Sequence, residues 1–230
     1  MGNVRPNQQR AKTAMILIWI VLGLEVVSFI SAYFQLDLLQ YAKDGGYISM
    51  DTANANDARE QIIAIIYLIA YIASGVTFIM WFRRAYYNLH QKYDLLSQTE
   101  GWAAGCWFVP IVSLYRPFQI MKEMHTVTRE LLVGKEISLT KDLRTSYLGW
   151  WWALWIISGV LGQIVFRFSW HAENISDVTL STIAGMIGNI LGVPLALITI
   201  KIIKDYSDVE PLLSEIVDEE KSLTPTAIIE

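Results

Sequence analysis

Four long apolar stretches separated by polar segments dominate the pattern along the chain. They run over residues 13–36, 61–82, 147–166 and 178–200, approximately from Thr13 to Leu36, Gln61 to Phe82, Tyr147 to Phe166 and Val178 to Ile200. A hydrocarbon core of roughly 30 Å takes about 20 apolar residues in a helix. Each stretch meets that length, and each is too uniformly apolar for an amphipathic helix on a soluble core. The second carries no charge and the first only Glu25. The third contains Trp150, Trp151, Trp152 and Trp155, and the fourth holds Pro194 near its end. The pattern predicts an all-α integral membrane protein with four transmembrane helices. Arg5, Arg10 and Lys12 before the first stretch give it the look of a signal peptide. Its apolar run exceeds the about 7–15 residues of a cleavable signal, however, and Ser31-Ala32 is followed by bulky Tyr33 and Phe34, so a retained helix is expected.

Composition agrees. Of 230 residues, 53% are hydrophobic and only 17% charged, against about 25% charged in soluble domains. Net charge of −4 offers no basic footprint for nucleic acid. With Cys106 as the only cysteine, neither an intramolecular disulfide nor a cysteine-based zinc site can form.

Flanking charge predicts orientation. The N-terminal tail holds Arg5, Arg10 and Lys12 with no acid, whereas the loop from Asp37 to Glu60 sets Lys43 and Arg59 against Asp37, Asp44, Asp51, Asp57 and Glu60. Between Arg83 and Arg144 lie nine Lys/Arg residues; Arg167 alone precedes the fourth stretch, and Lys201 and Lys204 follow it. Lys/Arg excess marks the cytoplasmic side, so both termini and the long central segment are expected in the cytoplasm.

The second helix has no stop at the membrane edge and is expected to run from about Arg59 to Leu96, with Asp57 and Glu60 at capping-box spacing. The apolar run Gly101 to Tyr115 would reach only about 22 Å as a helix, and Pro110 would break it. Basic residues flank it on both sides. Residues 101–117 are therefore expected to be a re-entrant or interfacial helical motif, with a fifth span as the alternative. Beyond it, Phe118 to His125 reads as an amphipathic helix with Pro117 in its first turn.

The runs Phe82-Arg83-Arg84-Ala85-Tyr86-Tyr87-Asn88-Leu89, Gly101-Trp102, Trp107-Phe108-Val109-Pro110 and Arg116-Pro117-Phe118-Gln119-Ile120-Met121-Lys122-Glu123 resemble the bacterial membrane family called domain of unknown function 4328. That resemblance implies a multi-spanning bacterial inner-membrane protein. It implies no established reaction, ligand or catalytic residue.

Two constellations are candidates for function. Glu25 lies near the middle of the first span, where an ionised acid costs a few kcal/mol unless paired or protonated. Asn189, Ser74 and Thr77 are expected at a similar depth, forming either a proton or ion site or a structural hydrogen-bonded contact. The second constellation is the central motif, comprising Arg83, Arg84, Asn88, Gly101, Trp102, Trp107, Pro110, Arg116, Pro117, Gln119 and Glu123. Its guanidinium groups suit lipid phosphate or carbonyls freed at the helix break. Glu123 is expected to pair with Arg116 or with the extended second helix, and Gly101 and Gly105 to act as hinges or close-approach points.

Ala184, Gly188 and Gly192 form a small-residue face suited to helix packing, and Gln163 is expected to bond across helices. His90, His125 and His171 stand alone, and neither a nucleophile–base pair nor a metal set accompanies them. No catalytic residue, metal or cofactor is expected. Residues 205–230, with eight acids against Lys221, read as an acidic, solvated cytoplasmic tail appended to a membrane domain over 1–204. Val209, Leu212, Leu213, Ile216 and Val217 offer a short partner-binding helix as the alternative.

The leading expectation is a non-enzymatic inner-membrane module that binds lipid or a protein partner through the central motif. Its partners would be the bilayer, anionic lipid, and a second copy or another membrane protein, with no role for nucleic acid. The alternative is a small proton- or ion-coupled transporter or channel using Glu25.

Overall fold

The structure, a computed structural model, describes residues 3–139, 141–170, 172 and 174–216. Six α-helices follow in order: α1 (Gln8–Lys43), α2 (Met50–His90), α3 (Glu100–Gly105), α4 (Arg116–Gly134), α5 (Leu148–Trp170) and α6 (Ile175–Val209). Short 3₁₀ turns occupy Val112–Leu114 and Glu210–Glu215, and no strand occurs among the described residues. Helices α1, α2, α5 and α6 are long and apolar enough to cross a membrane. The protein is an all-α membrane protein with four such helices among the described residues.

Local chemistry sets the helix limits. Helix α1 stops at Asp44-Gly45-Gly46, where Gly45 takes φ +87° and Gly46 N–H donates to the Tyr41 carbonyl at 3.0 Å. Glycine reaches this left-handed position without the clash a Cβ brings. Helix α2 begins at Met50, earlier than expected. Ser49 Oγ accepts from Thr52 N–H at 3.2 Å, and Asp51 to Glu60 contain neither Gly nor Pro to delay the helix. Asp57 and Glu60 are therefore interior residues and not a capping box. At its far end α2 stops at His90 instead of Leu96: the chain turns back, so that Gln98 O meets His90 Nε2 at 2.8 Å and accepts from Tyr86 Oη at 3.2 Å. Pro194 lies inside α6, which continues through it.

The chain divides into two compact units. The span unit comprises Thr13–Thr77 and Gly149–Lys201. Much of its apolar surface is uncovered by protein, including Ile62, Ile65, Ile69 and Tyr71 on α2 and Ile183 and Ile190 on α6, as lipid-facing surface requires. Within it Trp151 Nε1 donates to Thr199 Oγ1 at 3.1 Å, and Trp152 stacks on Trp155 with centroids 4.8 Å apart.

The motif unit comprises Phe78–Leu148 with the N-terminal segment up to Lys12 and the described residues from Ile202 to Ile216. It has a dry core of its own, in which Trp81, Phe82, Tyr86, Leu89, Ile120, Met121, Met124, Ile202, Ile203, Tyr206 and Leu213 are all fully buried. Each such side chain contributes roughly 1.5–3 kcal/mol through removal from water. Helix α4 places Pro117 in its first turn and turns Ile120, Met121, Met124, Thr128 and Leu132 into that core, as its sequence period predicts.

This architecture sets aside one alternative and corrects one expectation. Residues 101–117 form a six-residue helix, a turn and a 3₁₀ segment, far too short to supply a fifth helical span. Residues 205–216 are not a solvated tail: α6 runs on to Val209, and Asp205, Tyr206, Val209, Glu210 and Leu213 are buried. Apolar residues spaced along the acidic sequence carry it into the core, and its buried polar groups meet donors there: Glu210 accepts from Asn7 and Asn88, Asp205 from Tyr147 Oη, and Ser207 Oγ from Trp81 Nε1. The remaining tail, 217–230, lies outside the described residues, as do Val217 and His171.

Candidate functional site

In the span unit Glu25 is 6% exposed. Tyr67 Oη donates to its Oε1 at 2.7 Å. The Asn189 amide, oriented so that both its groups find partners, donates to Glu25 Oε2 at 2.8 Å and accepts from Phe29 N–H at 3.1 Å. Gly192 makes room for the carboxyl group, because a Cβ there would collide with Glu25 Oε1 and Cδ. A cavity of about 430 Å³ reaches this cluster, lined by Ser28, Gln35, Glu60, Tyr67, Thr182 and Asn189 among others. Its far part is tied by polar contacts: Arg59 Nε donates to Ser31 Oγ at 2.9 Å, Ser31 Oγ donates to Glu60, and Gln35 donates to Thr182 Oγ1 at 2.9 Å.

Of the expected midplane set, the structure joins Asn189 to Glu25 and leaves Ser74 and Thr77 elsewhere. The level of Glu25 on α2 is that of Tyr67; Ser74 and Thr77 lie seven and ten residues further along, about 10 and 15 Å at helical rise. Thr77 Oγ1 instead donates back to the Ala73 and Ser74 carbonyls at 3.0 Å. Gly188 also differs from expectation: a Cβ there would meet nothing within 4 Å, so it allows no close helix approach, while Gly192 accommodates a side chain. Gln163 is exposed and does not bridge helices.

In the motif unit Asn88 is fully buried. Its Nδ2 donates to Glu210 Oε1 at 2.6 Å and to the Arg5 carbonyl at 2.8 Å, and its Oδ1 accepts from Arg5 N–H at 2.9 Å. Asn7 Nδ2 reaches both Glu210 oxygens, at 3.1 and 3.0 Å, and the Trp81 carbonyl at 3.2 Å. Three distant segments thus meet on one buried carboxylate. Glu123 takes the second of its expected partners: it accepts from Tyr86 Oη at 2.8 Å on α2 and from Ser97 N–H and Oγ at 2.7 and 2.9 Å. Arg116 lies over the Tyr115 ring at 5.2 Å instead.

Trp107 fixes the apolar loop. Its ring stands edge-on to Phe78 and Phe82, 5.6 and 6.0 Å between centroids. Both phenylalanines belong to the last turns of the second apolar stretch. Past Trp107 the side chains open outward: Phe108 and Ile111 are each 75% exposed, and Val109, Leu114 and Tyr115 are exposed as well. Ile111 has φ +68°, a strained conformation for a β-branched residue. Pro110 is exposed at this apex, Pro117 is buried at the start of α4, and Gln119 and Trp102 are exposed. Neither Gly101 nor Gly105 is a close-approach point, since a Cβ at Gly101 would meet nothing within 4 Å and one at Gly105 only the Trp102 ring at 4.0 Å.

A family profile described as domain of unknown function (DUF4328) matches residues 44–208, a range that contains the whole loop and both of its phenylalanine supports. The chain belongs to that family. No curated protein matches it, and no solved structure does. The matched part of this DUF4328 chain holds Tyr67, Asn189, Asn88 and Trp107, whereas Glu25, Arg5, Asn7 and Glu210 come from the flanking segments.

His125 lies fully buried against Tyr206 and Tyr147, with ring centroids 5.7 and 6.2 Å away. Burial pushes its imidazole down to about 4, outweighing the opposing pull of the Arg144 backbone and the Asp205 charge.

Tyr67, Asn7 and Glu210 escaped the sequence reading as site residues, and Gly192 was read only as part of a helix-packing face. A tyrosine in an apolar run looks like any other lipid-facing ring. An acid in an acidic segment looks solvated. The signal that could have exposed Glu210 is the apolar spacing of Tyr206, Val209 and Leu213 around it.

Proposed function

We propose that this DUF4328 protein is a non-enzymatic module of the bacterial inner membrane, with both termini cytoplasmic, whose motif unit engages the lipid of the inner leaflet through the loop 106–115. One observation carries this reading: Trp107 docks on Phe78 and Phe82, at the end of a membrane-spanning stretch, while Phe108 and Ile111 beside it remain three-quarters exposed. A fixed ring at that depth with uncovered apolar neighbours suits acyl chains better than water. Trp102 and Tyr115 are amphipathic rings suited to the headgroup boundary. The Lys/Arg excess in this half of the chain agrees with a cytoplasmic location.

The test is the depth of residue 111. A nitroxide at Ile111→Cys in a Cys106→Ser background, reconstituted in bilayers, is expected to collide with oxygen more often than with a water-soluble nickel relaxant. Water-dominated collision would exclude insertion.

A second reading rests on a different feature. The cavity reaching Tyr67 and Asn189 gives water or an ion a route toward Glu25, which favours proton- or ion-coupled transport. Glu25→Gln keeps the shape and both hydrogen-bonded neighbours while removing the charge. Loss of a proton-dependent flux with unchanged protein level would establish transport; absence of any flux in the unaltered protein would remove it.

A further inference from the structure

Four arginines surround one small cavity of the motif unit. Arg5 and Arg10 come from the N-terminal segment and the start of α1, and Arg83 and Arg84 from α2. Met80, Tyr87 and Glu100 complete the lining of a space of about 210 Å³. The arrangement is built, not incidental. Asn88 grips Arg5 through both backbone groups, and this brings the Arg5 guanidinium over the Tyr87 ring at 4.6 Å. Arg84 lies near the same ring at 5.7 Å. Cation–ring contacts hold the two groups in place while leaving their N–H donors available.

Charge in the cavity is one-sided. Glu100 is the only acid in the lining, and it reaches Arg83 at 3.8 Å with both side chains about half exposed. Arg84 feels the charges of Arg10, Arg5 and Arg83. Glu210, which also couples to Arg84, is already engaged by Asn7 and Asn88. Like charges converging this closely repel one another and raise the local potential for an anion. Planar guanidinium forks match the oxygens of a phosphate group, and the space accommodates one together with water. Arg83 and Arg84 follow Phe82 directly and Arg10 precedes Thr13 by three residues, so in continuous helices each lies within about 5 Å of the end of a span.

We propose that Arg5, Arg10, Arg83 and Arg84 form a phosphate-binding site that takes the headgroup phosphate of an anionic phospholipid. The site deepens the lipid reading above and rests on it for orientation, but the loop 106–115 takes no part in it.

The test uses the full-length protein purified in a nonionic detergent. Native mass spectrometry follows retention of added phosphatidylglycerol or phosphatidylcholine, and titration calorimetry follows inorganic phosphate. The unaltered protein is expected to hold one phosphatidylglycerol at least tenfold more tightly than phosphatidylcholine. Arg5→Gln with Arg84→Gln is expected to abolish that preference, and Arg129→Gln, outside the cavity and paired with Asp142, to change it less than twofold. Tryptophan-fluorescence melting checks folding, and Arg10→Gln is the second variant if the double one does not fold. Arginine-dependent binding of inorganic phosphate without a phosphatidylglycerol preference would sustain the phosphate site and assign it to a soluble ligand. Binding of neither probe, or binding unaffected by the arginine variants, overturns the proposal. The two readings fail separately: water-dominated collision at residue 111 with the tenfold preference retained would sink the loop and leave this site standing, and an inserted loop with no arginine-dependent preference would do the reverse.

Discussion

Asn88 donates to Glu210 at 2.6 Å, a contact between residues 122 positions apart. With Asn7 on the same carboxylate, it joins the N-terminal segment, α2 and the end of α6. A buried carboxylate that loses a donor bears the desolvation penalty uncompensated. Asn88→Ala is expected to destabilise the protein by about 2–3 kcal/mol, read as a lowered unfolding midpoint in detergent. Asn88→Asp should be worse, since it sets a second acid against Glu210. An unchanged midpoint in both would deny the carboxylate its organising role.

Gly192 and Glu25 share one space. Gly192→Ala forces the Glu25 carboxyl aside and weakens its contacts with Tyr67 and Asn189, at an expected cost of about 1–3 kcal/mol. In a Glu25→Ala background the space is open and the same substitution should cost little. The double-mutant cycle measures this coupling, and additive effects would show that the two residues do not meet.

Acid sensitivity should follow His125. Its folded value of about 4 lies below the usual 6.5 or so of an unfolded histidine, so the unfolded chain takes the proton first as pH falls. The resulting loss is absent above about pH 7, grows between pH 6.5 and 4, and approaches about 3 kcal/mol. His125→Phe preserves a ring against Tyr206 and should flatten this part of the stability–pH curve relative to the unaltered protein. Parallel curves would place the sensitivity elsewhere.

Tyr86 ties the segment after α2 to α4 through Glu123 and Gln98. Tyr86→Phe removes the hydroxyl and leaves the ring. About 1 kcal/mol of stability should be lost, with amide exchange at Ser97 and Gln98 faster by about fivefold or more. Unaltered exchange there would mean that the Ser97 contacts to Glu123 suffice alone.

The span helices were legible in the sequence because membrane thickness imposes a length that composition reveals directly. Glu25 with Asn189 was legible for the same reason: both are polar groups near the centre of a span, and depth can be counted. Ser74 and Thr77 show the limit of counting, since the polar partner α2 presents to Glu25 is Tyr67, and which residue meets it depends on helix tilt and side-chain reach. Arg83, Arg84 and Asn88 stood out as polar residues following an apolar stretch. Their partners Arg5, Asn7 and Glu210 did not, because a contact across the whole chain leaves no periodicity in either segment. The motif unit's core was hidden for a related reason. Its contribution from α6 lies in acid-rich sequence, where charge density masks the apolar spacing that buries it.

The sidedness of the loop's flanks tests the account most directly. Single cysteines at exposed Leu95 and Gln119, in a Cys106→Ser background, can be challenged with a membrane-impermeant maleimide in right-side-out and inverted vesicles. Both are expected to react only when the cytoplasmic face is outward. Reaction of the two positions from opposite faces would mean that the segment between them crosses the bilayer, contradicting the inner-leaflet loop and the function built on it.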